Sequence, residues 1–389
     1  GVSDEVGFSI HRKGAAWRSA DTCHQIAMIA RHRFVCALAA LVLCDSCVMT
    51  STKGPFEEAE GHWYHRSSDS AAAIQLGAML FFDRRFSRDE QLSCASCHIP
   101  QYAFAEPRAT SHGIGVDARR RNAPSLLNAR FWPLLDWDGR ARSLEDQASR
   151  VFSVSGDMGI DLGDAVAVAQ WDERYRQLFL AAYGAPPNGD NLLRALASFQ
   201  RSLDSKEAPF DAFFLHGDTL AISRSAQRGW KLFQEQRLGC IDCHSYQPAG
   251  SNRALAQFTD RRFHNLGVGF ANGWMTDVGR FAQSRTWGDW GSFRTPSLRN
   301  VAMTAPYMHD GSLATLRDVL QFYSRRGIDN PNRDPGLMEF SLSDSEASDL
   351  VAFLEALTSP EYSDTAAVAK RWYALARGAK ARTERLGPP

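Results

Sequence analysis

Two short segments constrain this chain more than anything else in it: CASCH at Cys94–His98 and CIDCH at Cys240–His244. Each is C-x-x-C-H, with two thiols one helical turn apart and an imidazole on the next residue. Thiols so spaced add to the two vinyl groups of one porphyrin, and the histidine that follows presents a ring nitrogen to the iron. A zinc site or a disulfide would account for the cysteines but not for the histidine after both pairs. Two covalently bound c-type haems are therefore expected. The pairs lie 146 positions apart, Cys94 to Cys240, and each follows an apolar segment and a polar turn. That layout predicts a tandem of two related units.

At 389 residues the chain suits two domains and a leader. Strand signals are few and short, so the expected fold is mainly α, two haem-bearing units in tandem with long loops. Helices are predicted over Ala71–Phe82, Asn191–Leu203 and Leu316–Gly327. Another is predicted from Ser343, where Ser343 and Glu346 form a capping box. Glu207–Asp218 reads as a connection near the domain boundary. The expected division is an upstream extension and export signal at 1–50, a first haem domain at 51–215, a second at 216–360, and a basic tail at 361–389. From Lys370 to Arg385 that tail reads either as a docking segment for an acidic partner or as a solvated, partly frayed helix.

In the leader, Arg31 and Arg33 precede an apolar run from Phe34 to Leu43 and then small, polar residues, the order of an export signal. The run is well short of the ~20 residues that span a bilayer. A periplasmic protein is expected, tied to a membrane only by that signal or by a lipid anchor at Cys44 or Cys47, whose surroundings match a lipoprotein signal poorly. Val48 follows Cys44–Cys47, so no third haem is implied. The charge is balanced, 44 basic against 44 acidic residues, which gives no electrostatic reason to expect nucleic acid.

RRNAPSLLNA (120–129), WDGRARSLEDQA (137–148), RFHNLGVG (262–269) and FRTPSLRNVAMTAPYMHDGS (293–312) resemble the bacterial di-haem cytochrome c peroxidase and MauG family. The resemblance runs from about Leu76 to Leu357. It implies a mainly α fold of two cytochrome c-like haem domains in tandem, with a peroxide-reactive haem held by His98 and an electron-transfer haem held by His244. It also implies that Trp137, otherwise readable as a core tryptophan, relays electrons between them. Asn122, Thr304 and Pro306 match the family's calcium ligands, and oxygen donors suit that cation. His264 and His309 fall in motifs that line the haem pockets. Where the family has a glutamate beside the open iron this chain has Asp157, one methylene shorter; it reads as the acid–base group or as a loop aspartate. His112 reads as a removable ligand of the first haem or as a solvated loop histidine.

The two branches of the family differ fourteen positions after the histidine of PYMHDG, where the peroxidases have methionine and MauG has tyrosine. Counting from His309 gives Tyr323. A thioether raises a haem's potential, whereas a phenolate favours ferric and higher-valent iron. The resemblance thus implies a MauG-like haem oxidoreductase. Its catalytic residues would be Asp157, Trp137 and Tyr323, and peroxide would drive long-range oxidation of a partner protein, at a tryptophan. Trp63, Trp287 or Trp290 would offer exit points. The alternatives are a di-haem peroxidase drawing electrons from a small cytochrome c or cupredoxin, and an inert di-haem carrier.

Overall fold

The computed structural model describes residues 69–114, 121–153, 157–246 and 256–377. The export segment, Cys44, Cys47 and Trp63 lie outside them. The described chain is mainly α. In the first half, α1 (Ala71–Phe82), α2 (Leu144–Val151), α3 (Leu162–Trp171), α4 (Glu173–Tyr183) and α5 (Gly189–Arg201) surround one apolar cluster. Next come α6 (Pro209–His216), α7 (Arg224–Phe233), α8 (Cys240–Cys243), α9 (Phe281–Ser284), α10 (Leu316–Ser324) and α11 (Asp344–Glu355). Of these, α6, α7, α10 and α11 pack around a second cluster. The chain then turns through α12 (Pro360–Ser363) into α13 (Thr365–Ala376). Strand is confined to two antiparallel two-residue pairs, β1 (Phe263–His264) with β4 (Phe293–Arg294) and β2 (Phe270–Ala271) with β3 (Trp274–Met275).

The two clusters are built to one plan. Helix α1 packs on α5, and α7 packs on α11. At the crossing of each pair sits a glycine: a Cβ on Gly77 would collide with the Ala195 carbonyl and the Phe199 side chain, and one on Gly229 with the Asp349 carbonyl and Phe353. Asn128 and Asn300 hold the same left-handed corner, at φ 61° and 58°, a region asparagine tolerates better than most residues. The Asn128 amide donates to the Leu203 carbonyl at 2.8 Å, and that of Asn300 to Leu357 at 3.1 Å. The Ser205 amide donates to Asn128 Oδ1 and the Ser359 amide to Asn300 Oδ1, while the hydroxyls of Ser205 and Ser359 meet at 2.7 Å.

Beyond those serines the chain crosses over, twice. After α5 it passes to the second cluster, where α6 buries Phe210; after α11 it passes back to the first, where α13 buries Val368 and Trp372. Two expectations are corrected here. Glu207–Asp218 contains helix α6, because Phe210 has an aromatic pocket to fill. The stretch expected to be solvated from Lys370 has Trp372 only 4% exposed; residues 378–389 lie outside the described part. The helix expected to reach Gly327 ends at Ser324, since Arg326 and Gly327 turn left-handed at φ 62° and 67°.

Candidate active site

Helix α8 and the short helical turn at Cys94–Ser96 present the two C-x-x-C-H motifs at the edges of two cavities. The four cysteines are free thiols, and burial pushes Cys94 and Cys240 up to about 12 and Cys97 to about 11. They suit a thioether link to porphyrin, and the neighbouring histidines are arranged to match. His98 Nδ1 lies 3.0 Å from the Phe104 carbonyl, and His244 Nδ1 lies 2.9 Å from the Phe258 carbonyl. A carbonyl only accepts, so Nδ1 carries the proton and the Nε2 lone pair is left for a metal. Burial lowers both imidazole pKa values, which keeps that lone pair free.

The second cavity, about 270 Å³, is lined by Cys240, Cys243, His244, His264, His309 and Tyr323. Leu316, Val319, Leu320 and Tyr323, the whole apolar face of α10, line it together. The periodicity that reads as core in the sequence is therefore a cavity wall. The Tyr323 phenol is pushed up by burial, and its hydroxyl has no hydrogen-bond partner among the described residues.

His264 is held differently. Its Nδ1 sits 2.5 Å from Asp334 and its Nε2 2.8 Å from Asp260. Burial opposes its charge, but the two carboxylates prevail and raise its pKa to about 12. Both nitrogens donate, so His264 forms pocket wall and has no lone pair for iron. Because its ordinary value is 6.5, the stability it contributes is fully present below pH 6.5 and is lost as pH rises towards 12. In His264→Gln that alkaline decline is expected to flatten, as read by thermal unfolding from pH 6 to 10; an unchanged slope would count against the paired charge. His309 is the opposite case, stacked on Phe293 at 3.5 Å and held neutral by burial, with its pKa near 4.

The first cavity, about 160 Å³, is lined by Cys94, Cys97, His98, His112 and Asp157. The Asp157 carbonyl accepts from the Ile114 amide at 3.1 Å, which ties the loop carrying His112 to the segment carrying Asp157. His112 itself is exposed at the rim. Trp137 and Asn122 line both cavities, and the Trp137 indole donates to the Asn122 carbonyl at 2.8 Å. The tryptophan is thus the partition between the two pockets. Thr304 and Pro306 reach the same wall from the second half. Asn122 Nδ2 donates to the Arg108 carbonyl at 2.9 Å, which turns Oδ1 the other way. The Thr304 and Pro306 carbonyls accept no hydrogen bond among the described residues. Trp287 and Trp290 stack at 5.2 Å on the outside of the second half, with Trp287 58% exposed.

One functional residue escaped the sequence reading. Arg294 in β4 is buried against Trp132, 3.8 Å from the ring centre, and lines the second cavity with Nε and Nη1 unpartnered. Burial lowers its pKa to about 10. A buried guanidinium of this kind calls for an anion such as a haem carboxylate. Its signal was the arginine in FRTPSLRN, which nothing local distinguishes from a surface arginine.

A family profile described as di-haem cytochrome c peroxidase matches residues 71–219. The methylamine utilization protein MauG of Methylophilus methylotrophus is 37% identical over 286 residues, 72% of this chain and 81% of that protein. The cytochrome c551 peroxidase of Pseudomonas aeruginosa is 32% identical over 291 residues, 73% of this chain and 78% of that protein. Among solved structures, a MauG-like protein associated with microbial copper homeostasis superposes with a TM-score of 0.67 at 31% identity, covering 77% of this chain and 93% of that one.

Proposed function

The chain belongs to the di-haem cytochrome c peroxidase and MauG family, and we propose that within it the protein is a MauG-like periplasmic enzyme that uses hydrogen peroxide to oxidise a tryptophan of a partner protein. The observation that carries this reading is Tyr323: a phenol with no hydrogen-bond partner on the wall of the cavity that His244 also lines. Both histidines keep Nε2 free, both cysteine pairs are unbridged, and Arg294 offers an unpaired cation, so the residues fit two c-type haems. When bound, the haems supply the redox chemistry, peroxide reduction at the first and storage of an oxidising equivalent at the second.

The chain's own residues do the rest. Asp157 takes a proton from peroxide and returns it to the departing oxygen. Trp137, pinned through its indole N–H, carries electrons between the pockets. His98 would hold the first haem, and His244 with Tyr323 the second, where a phenolate would oppose reduction by a cytochrome. Calcium would bind Asn122 Oδ1 and the carbonyls of Thr304 and Pro306, hard donors from both halves that would fix the wall. Electrons from the partner would enter at the stacked Trp287 and Trp290.

The test is to mix the purified holoprotein, peroxide and candidate periplasmic proteins and look by mass spectrometry for oxygen added to a partner tryptophan. The result expected is modification of one partner with slow turnover on reduced cytochrome c. Fast steady-state turnover on cytochrome c with no partner modified would overturn the reading in favour of a detoxifying peroxidase.

A further inference from the structure

We propose that Trp372, on the C-terminal helix α13, is a positioning residue for the iron ligand of the first haem, acting on His98 through Phe104. This goes beyond the assignment of the oxidised substrate and does not depend on it.

The starting point is how each histidine is held. Phe104 and Phe258, whose carbonyls accept from His98 and His244, are both in the left-handed region, at φ 58° and 53°. A bulky residue there is strained and persists only when its surroundings enforce it. In the second half the enforcement comes from α6, α7 and α11. The Phe258 ring is enclosed by Phe210, Trp230, Phe233 and Phe353, at 5.6, 6.4, 6.3 and 6.1 Å.

The first half repeats part of that cage. Phe81 follows Gly77 by four residues, as Phe233 follows Gly229, and Phe199 faces Gly77 as Phe353 faces Gly229. Their rings lie 6.2 and 6.4 Å from Phe104. The two remaining walls have no local counterpart. Where α7 has Trp230, directly after its glycine, α1 has Ala78. The ring that closes the gap is Trp372, edge-on to Phe104 at 5.2 Å and to Phe199 at 5.7 Å. It is the aromatic ring nearest Phe104 among the described residues, and it arrives from the far end of the chain by the second crossover.

Without that ring the strained backbone at Phe104 is free to relax, and the carbonyl retreats from His98 Nδ1. A weaker bond at Nδ1 makes the imidazole a poorer donor at Nε2 and destabilises ferric iron. The first haem's potential then rises. The second haem's does not, because its histidine is held by a different cage.

The test uses the holoenzyme carrying Trp372→Ala, Trp372→Leu or Trp372→Phe, with spectroelectrochemistry and ferric electron paramagnetic resonance resolving the two haems. In the Ala variant the first haem's potential is expected to rise and its high-spin signal to change, with the second haem unmoved. Leu, which keeps apolar bulk without a ring, should give a smaller shift, and Phe should restore most of the native signature. If the Ala variant fails to accumulate, the Leu and Phe pair carries the comparison. A first haem unchanged in both Ala and Leu variants overturns the proposal, as does an equal shift of both haems in the Phe variant. A wild-type protein with fewer than two c-type haems would instead overturn the haem reading itself.

Discussion

Tyr323→Met is expected to raise the second haem's potential by on the order of a hundred millivolts and to abolish oxidation of the partner protein. The side chain sits on the cavity-lining face of α10 at half-burial, so an unbranched thioether of similar reach replaces it without disturbing Leu316 and Leu320 beneath. What changes is donor hardness. A phenolate stabilises ferric iron and withholds the haem from reduction; a thioether stabilises ferrous iron and invites it. The variant should therefore gain turnover on reduced cytochrome c as it loses partner oxidation. Redox titration and the mass-spectrometric assay read the two effects separately. Retained partner oxidation at native potential would remove Tyr323 from the iron and with it the proposed function.

Gly229→Ala is expected to destabilise the holoprotein by about 3 kcal/mol or more, and Gly77→Ala by a similar amount. The sign is the informative part, since glycine to alanine inside a helix ordinarily stabilises by roughly 0.5–1 kcal/mol. Here the added methyl group would strike the backbone carbonyl of the facing helix, Asp349 for one site and Ala195 for the other. A carbonyl within a helix cannot turn aside as a side chain can, so α7 would have to lift from α11, or α1 from α5. Thermal unfolding and haem content of the purified variants check this. An unchanged or raised Tm would mean the helices do not cross so closely.

Much of the site was legible because its signals are local. The two C-x-x-C-H motifs stand out by spacing alone, whereas the count from His309 that singles out Tyr323 rests on the family resemblance; the structure puts Tyr323 on the wall of the cavity that His244 also lines. The capping box at Ser343 and Glu346 likewise appears as read, since both partners lie within one turn. What was not legible depends on partners distant in sequence. Nothing near His264 announces Asp334, 70 residues on, and nothing near Arg294 shows that folding leaves its guanidinium facing a cavity. The end of α10 was overestimated because SRRG reads as a favourable helix terminus, whereas the φ values of Arg326 and Gly327 are dictated by the loop against which they pack. Trp372 was misjudged for the same reason: the alanines and cations around it describe a solvated helix, and only the gap beside Ala78 explains why one tryptophan goes in.

The double crossover also orders events in time. In the second half, Phe210, Trp230 and Phe233 precede Cys240, so three of the four rings around Phe258 are already in the chain when the second C-x-x-C-H motif emerges. In the first half only Phe81 precedes its motif, and Trp372 follows Cys94 by 278 positions. A polypeptide delivered from its N-terminus thus exposes its first C-x-x-C-H motif long before the ring that braces the carbonyl behind His98 exists. The carbonyl that orients His98 is therefore braced only after both cysteine pairs have emerged.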